Sequence, residues 1–143
     1  MPEISVLLCV YNPDREELLK AVQSVIAQSF RDWEMILYDD GSKEGFARVT
    51  EEAAILDARI RLVRNPAHHS LAWGLNESLK IARGKYIARM DGDDISTPER
   101  FQKQLDFLEN HPGYSWVGSN IQLINGQGEI WGERRYPITP ENR

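Results

Sequence analysis

The chain is 143 residues long, the size of one domain, and a domain of that size buries roughly 68–70% of its unfolded surface, enough for a single core. Seventeen basic against 22 acidic residues leave a net charge of -5 with no basic run, which argues against nucleic acid as a partner and favours acidic sites that recruit cations. The single cysteine, Cys9, excludes an internal disulfide and a C-x-x-C metal knuckle; inside "ISVLLCV" it reads as a small buried thiol. No uncharged run approaches the ~18 apolar residues of a membrane span, and no basic segment precedes an apolar core at the start. The expectation is a soluble, cytoplasmic chain, compatible with attachment to the inner face of a membrane.

"ISVLLCV" (4–10) is a continuous apolar, β-branched run, the pattern of a strand covered on both faces. A helix is expected next, with Asn12 as its cap, Pro13 at its first position, acidic residues in its first turn and Leu18, Val22, Val25 and Ile26 on its apolar stripe. "WEMILYDD" (33–40) is a second strand that ends in two aspartates. "GS" then turns the chain, Ser42 is a candidate cap, and Phe46, Val49, Ala53 and Leu56 stripe a second helix. "RIRLV" is a short third strand. Leu71, Leu75, Leu79 and Ala82 mark a third helix stopped by Gly84. "KYIARM" is the fourth strand, followed by a helix capped by Ser96 or Thr97, carrying Pro98 early and Phe101, Leu105 and Leu108 inward. The remainder, around "NGQG", suggests a hairpin and then a polar, proline-containing tail.

Alternating strands and helices of these lengths imply βαβ units and a mostly parallel open sheet with helices on both faces, a three-layer α/β/α architecture. Ligands of such sheets bind beyond the carboxyl ends of the strands, where strand order reverses. Polar chemistry gathers at three of those ends: Tyr11 and Asn12 after the first strand, Asp39 and Asp40 after the second, Asp91, Asp93 and Asp94 after the fourth. If the second and fourth strands flank the first, all three loops rim one crevice and five aspartates face it.

Three carboxylates within four residues exceed what a turn requires, and like charges that close repel unless a cation sits among them. An EF-hand fails, since position 6 counted from Asp91 is Ser96 and position 12 is Gln102. One or two protein carboxylates fit Mg²⁺ or Mn²⁺ that also grips substrate phosphates, a leaving-group site for a diphosphate. An acceptor-only aspartate at a strand end can receive the ring N–H of a nucleobase, and Tyr11 can stack on such a ring or pack the first helix. His68, His69 and His111 have no metal spacing and read as loop histidines. Arg64, Arg83, Lys85 and Arg89 flank the aspartates and default to surface solvation. Trp33, Trp73, Trp116 and Trp131 read as core or interface material. No phosphate-binding P-loop, dinucleotide fingerprint or nucleophile elbow is present.

"SVLLCVYNP", "EMILYDDGS", "LNESLKIARGKYIARMDGDDISTPERFQKQLDFLENHP" and "VGSN", in that order, resemble family 2 glycosyltransferases of the GT-A fold over nearly the whole chain. The resemblance implies an inverting transferase that moves a sugar from a nucleotide diphosphate (UDP-, GDP- or dTDP-linked) to an acceptor hydroxyl on a glycan or lipid-linked acceptor. It implies that Tyr11, with Asn12 beside it, and Asp39 meet the nucleobase and that Asp40 supports that loop. Within "DGDD", similar to the family's D-x-D element, Asp91 and Asp93 would reach ribose or metal, and Asp93 or Asp94 would ligate Mn²⁺ or Mg²⁺. Where the family often shows Asn-x-Gly, Pro66 and His68 stand in "NPAHHS". The family's general base lies C-terminal to anything matched, so residues 1–143 are expected to be a single donor-binding domain of a longer enzyme, with the base beyond residue 143. A sugar-nucleotide pyrophosphorylase would need a glycine-rich loop after the first strand, and a phosphoryl-accepting signalling domain would need acids after the first and third; neither pattern is present.

Overall fold

The structure, a computed structural model, describes residues 1–138. The expected polar tail extends into residues 139–143, outside the described residues. The chain divides into two compact units, Met1–Gln102 and Lys103 onward.

In the first unit β1 (Ile4–Val10), β2 (Trp33–Asp40), β3 (Ile60–Asn65) and β4 (Tyr86–Asp91) form a wholly parallel sheet of order β3-β2-β1-β4. Strand order reverses beside β1, which meets the condition set in the sequence reading. β1 and β2 are almost completely buried because both faces are covered. Ile4, Val6 and Leu8, with Trp33, Met35 and Leu37 opposite them, face Leu18, Val22 and Val25 of α1 (Arg15–Ile26), Ala53 of α2 (Glu44–Ala54) and Phe101 of α4 (Arg100–Asn110). On the other face lie Ser5, Leu7 and Cys9 with Glu34, Ile36 and Tyr38, covered by α3 (Leu71–Ile81). A Cβ on Gly74 would lie 2.3 Å from Cys9 Sγ and 2.9 Å from Tyr38 Cδ1, so α3 approaches the sheet at a distance that only glycine allows.

Four helix details differ from the sequence expectation. α1 begins at Arg15, and its cap is Asp14, whose Oδ1 accepts the Glu17 N–H at 3.0 Å. Asn12 stands outside the helix with φ 46°. α2 has Lys43 at its cap position with no side-chain bond, while Ser42 turns elsewhere, and Phe46 and Leu56 are partly exposed rather than inward. α3 buries Gly74 and Ser78; Leu71 and Leu79 face solvent, and the helix stops at Ile81 before Gly84. Pro98 and Glu99 form a turn ahead of α4, so Ser96 is not its cap; buried, it donates to Met90 Sδ and accepts from Arg100 Nη1.

At the amino edge of the sheet, Glu34 accepts from Ser5 Oγ at 2.7 Å and from the backbone and guanidinium of Arg83. Burial pushes the Glu34 carboxyl up, but these bonds together outweigh it and hold the group below its ordinary value.

The second unit contains β5 (Ile121–Ile124) and β6 (Ile130–Arg134), an antiparallel hairpin at the expected "NGQG" turn. Asn125 Oδ1 accepts from Gln127 N and Glu129 N, and Gly128 takes φ 82°. No helix among the described residues is long and apolar enough to cross a membrane.

Candidate functional site

Parallel register sets Val10 beside Asp39 and Cys9 beside Asp91, so the carboxyl ends of β1, β2 and β4 share one edge. Alternation along β2 then separates its two terminal aspartates, because adjacent residues of a strand point to opposite faces. Asp39 lies on the α2 face, fully buried. Its Oδ1 accepts Ser42 N at 3.0 Å and its Oδ2 accepts Thr50 Oγ1 at 3.2 Å and Arg64 Nε at 3.0 Å. Arg64, its neighbour across β3, also reaches Glu51 and the Ala47 carbonyl, so this cation braces α2 rather than standing in solvent.

Asp40 lies on the α3 face and is also buried. Both its oxygens accept the His69 N–H, at 3.2 and 3.1 Å, and Oδ2 is 3.0 Å from His68 Nδ1. Gly41, at φ 76°, makes this possible: a Cβ there would sit 2.4 Å from His68 N. The expectation that five aspartates open onto one crevice therefore fails for Asp39 and Asp40, whose carboxylates turn inward to hold loops.

Asn12 ties the β1–α1 loop to the β2–α2 turn. Its N–H donates to Ser42 Oγ and its Oδ1 accepts from Lys43 N, both at 2.9 Å. A residue that reads as a helix cap instead clamps two loops, and Asn tolerates the positive φ that this requires. Tyr11 beside it is 43% exposed and stacks on His68 with ring centroids 3.8 Å apart.

β4 delivers Asp91, Asp93 and Asp94. Asp94 N donates to the Asp91 carbonyl at 3.2 Å, closing a turn, and Gly92 passes so close to Val10 that a Cβ would lie 2.7 Å from its Cγ1. The three carboxylates offer oxygens that all lie within 4.8 Å of one another, on the surface. Burial first, then the charges of Asp93 and Asp91, push Asp94 above its ordinary value, with Arg100 opposing. An all-oxygen, like-charged set at this spacing suits a hard divalent cation.

The other flanking cations divide between the two ends of the sheet. Arg83 is paired with Glu34 and Lys85 with Glu3 at the amino edge, away from the aspartates, while Arg89 is 3.6 Å from Asp91. Trp33 is core; Trp73, Trp116 and Trp131 are exposed. His111 stacks on Phe107 in α4. The sequence reading missed His68 as the partner of Asp40 and Thr50 and Arg64 as partners of Asp39. The available signals were the strand alternation of "DD" and the glycine after it.

A family model described as glycosyl transferase family 2 matches residues 5–142. EpsE of Bacillus subtilis (strain 168), which carries the name glycosyltransferase, is 41% identical over 98% of this chain and 50% of its own length. The chain thus spans about half the length of this curated relative. Among solved structures, S. aureus TarS in complex with UDP has a TM-score of 0.68 at 20% identity, covering 77% of this chain and 33% of that one. A mannosyltransferase of Pyrobaculum calidifontis in complex with GDP-Man and Mn²⁺ has a TM-score of 0.68 at 19% identity, covering 75% and 32%. These structures establish the fold likeness.

Proposed function

Because the chain belongs to glycosyltransferase family 2, we propose that it forms the part of an inverting transferase that binds a nucleotide-diphosphate sugar with Mn²⁺ or Mg²⁺, for transfer to a hydroxyl of a glycan or lipid-linked acceptor. The observation that carries this reading is the Asp91, Asp93 and Asp94 cluster at the same sheet edge as Tyr11 and the Asp39–Asp40 turn. The ligands of the two fold neighbours, UDP in one and GDP-Man with Mn²⁺ in the other, support a nucleoside diphosphate and a cation as partners.

In this account Asp93 and Asp94 hold the cation, and Asp91 and Asp93 reach toward ribose or metal. When bound, the cation neutralises charge on the departing diphosphate. Tyr11 offers its ring to the nucleobase. Asp39 shapes that end of the site through the Ser42 turn and Arg64, Asp40 supports the adjoining loop, and Asn12 locks Tyr11's own loop in place. The acceptor hydroxyl attacks the anomeric carbon in line, which inverts its configuration, and a general base removes the proton. We assign that base to none of the 143 residues. Action in the cytoplasm, at the inner face of a membrane when the acceptor is lipid-linked, accompanies this reading.

Calorimetric titration with UDP, GDP and dTDP, with and without Mn²⁺, tests it. One nucleoside diphosphate is expected to bind at least about tenfold more tightly with the cation, a gain lost in Asp93→Ala and Asp94→Ala. A folded chain that binds none of them contradicts the proposal.

A further inference from the structure

Building on the nucleotide-binding reading, we infer that His68 is a positioning residue that fixes the Tyr11 ring for the donor's nucleobase. The chain of contacts starts at the buried Asp40. His68 Nδ1 lies 3.0 Å from Asp40 Oδ2 and 3.2 Å from the Asp40 carbonyl oxygen. Both partners are acceptors, so Nδ1 carries the hydrogen and the plane of the imidazole is set. The backbone beneath the ring is anchored as well, by the His69 N–H on the same carboxylate and by the close pass over Gly41.

That fixed ring lies on Tyr11 at 3.8 Å and 27° between planes. One face of the tyrosine is thereby covered, and the remainder of a residue that is 43% exposed is left to a ligand. An exposed tyrosine without such a support samples several rotamers, and a ligand that stacks on it must bear the entropy of ordering it. Here Asn12 holds the loop on one side and His68 holds the ring on the other. His68 itself needs no contact with the donor. Asp40 acts through His68, and His68 through Tyr11.

A double-mutant cycle separates this from a merely structural role. His68→Ala, Tyr11→Ala and the double variant are titrated with Mn²⁺ and the nucleoside diphosphate that the unaltered chain binds, and separately with Mn²⁺ and inorganic pyrophosphate. His68→Asn is added because its amide can keep a bond to Asp40 but brings no ring. Both positions are partly exposed, and thermal unfolding confirms that each variant is folded.

His68→Ala is expected to weaken the nucleoside diphosphate about tenfold, the scale of one base stacked on an aromatic ring. Pyrophosphate affinity should stay within about twofold, since the diphosphate half does not meet Tyr11. His68→Asn should behave as His68→Ala, and His68→Ala should cost nothing further once Tyr11 is alanine. Additive effects, equal loss for pyrophosphate, or wild-type affinity in His68→Asn would each overturn the inference while leaving nucleotide binding intact. Failure of the unaltered chain to bind any nucleoside diphosphate would remove both readings together.

Discussion

Asp39 and Asp40 are neighbours in sequence yet belong to different local networks, one fixed by α2 and Arg64 and the other by the loop that carries His68 and His69. The sequence reading singles out the dipeptide, but its division of labour is not legible there, because partners 11 to 29 residues away decide it. Asp57, outside the site, is instead fixed by a partner two residues away. Arg59 donates Nε and Nη2 to its two oxygens at 2.9 and 2.8 Å, and the guanidinium lies 3.7 Å over the Trp33 ring. The Arg59 side-chain bonds, against opposing burial, hold the Asp57 carboxyl at about 2, below its ordinary 3.8. A carboxyl whose folded pKa is depressed stabilises the fold above its unfolded value and loses that contribution as pH falls through the folded one. Asp57→Asn should therefore cost about 1 kcal/mol at neutral pH, allowing for partial exposure of the pair. The deficit should shrink between about pH 3.8 and about 2, as read by urea denaturation of both proteins. A deficit that does not change with pH would refute this assignment.

The strands β1 and β2 were legible because a strand covered on both faces is apolar throughout, and α1 because its stripe repeats at helical spacing. The helix starts were less so. Asn12 and Asp14 are both good caps, and the choice fell to Asp14 once Asn12 was drawn into bonds with Ser42 and Lys43. α3 misled for a different reason: its leucines suggest the buried face, whereas the small residues Gly74 and Ser78 are what let it lie against Cys9 and Tyr38. Two glycine replacements should therefore differ in sign. Gly74→Ala overpacks the contact and should destabilise by about 1–3 kcal/mol. Gly45→Ala, in α2 with nothing within 4 Å of the added methyl, should stabilise by up to about 0.5 kcal/mol. Chemical denaturation of the two variants checks the pair, and equal effects would contradict the packing described for α3.

For the molecule as a whole, strand order carries the functional argument. With β1 between β2 and β4, residues as far apart in sequence as Tyr11 and Asp94 meet at one sheet edge, and every candidate site residue falls within the first unit, Met1–Gln102. The alternation of strands and helices foretold a parallel sheet but left its strand order as a condition, and "DGDD" foretold the acidic cluster; the inward commitment of "DD" and the support of Tyr11 by His68 emerge only when the loops are folded together. The central claim is that the Asp91 to Asp94 loop holds a divalent cation against a diphosphate. Anomalous diffraction at the manganese edge from crystals grown with Mn²⁺ and the nucleoside diphosphate that binds tests it most directly. A peak about 2.0–2.3 Å from an oxygen of Asp93 or Asp94, with phosphate oxygens completing its shell, is the predicted result. Nucleotide bound with no peak at this loop, or with manganese held elsewhere, would contradict it.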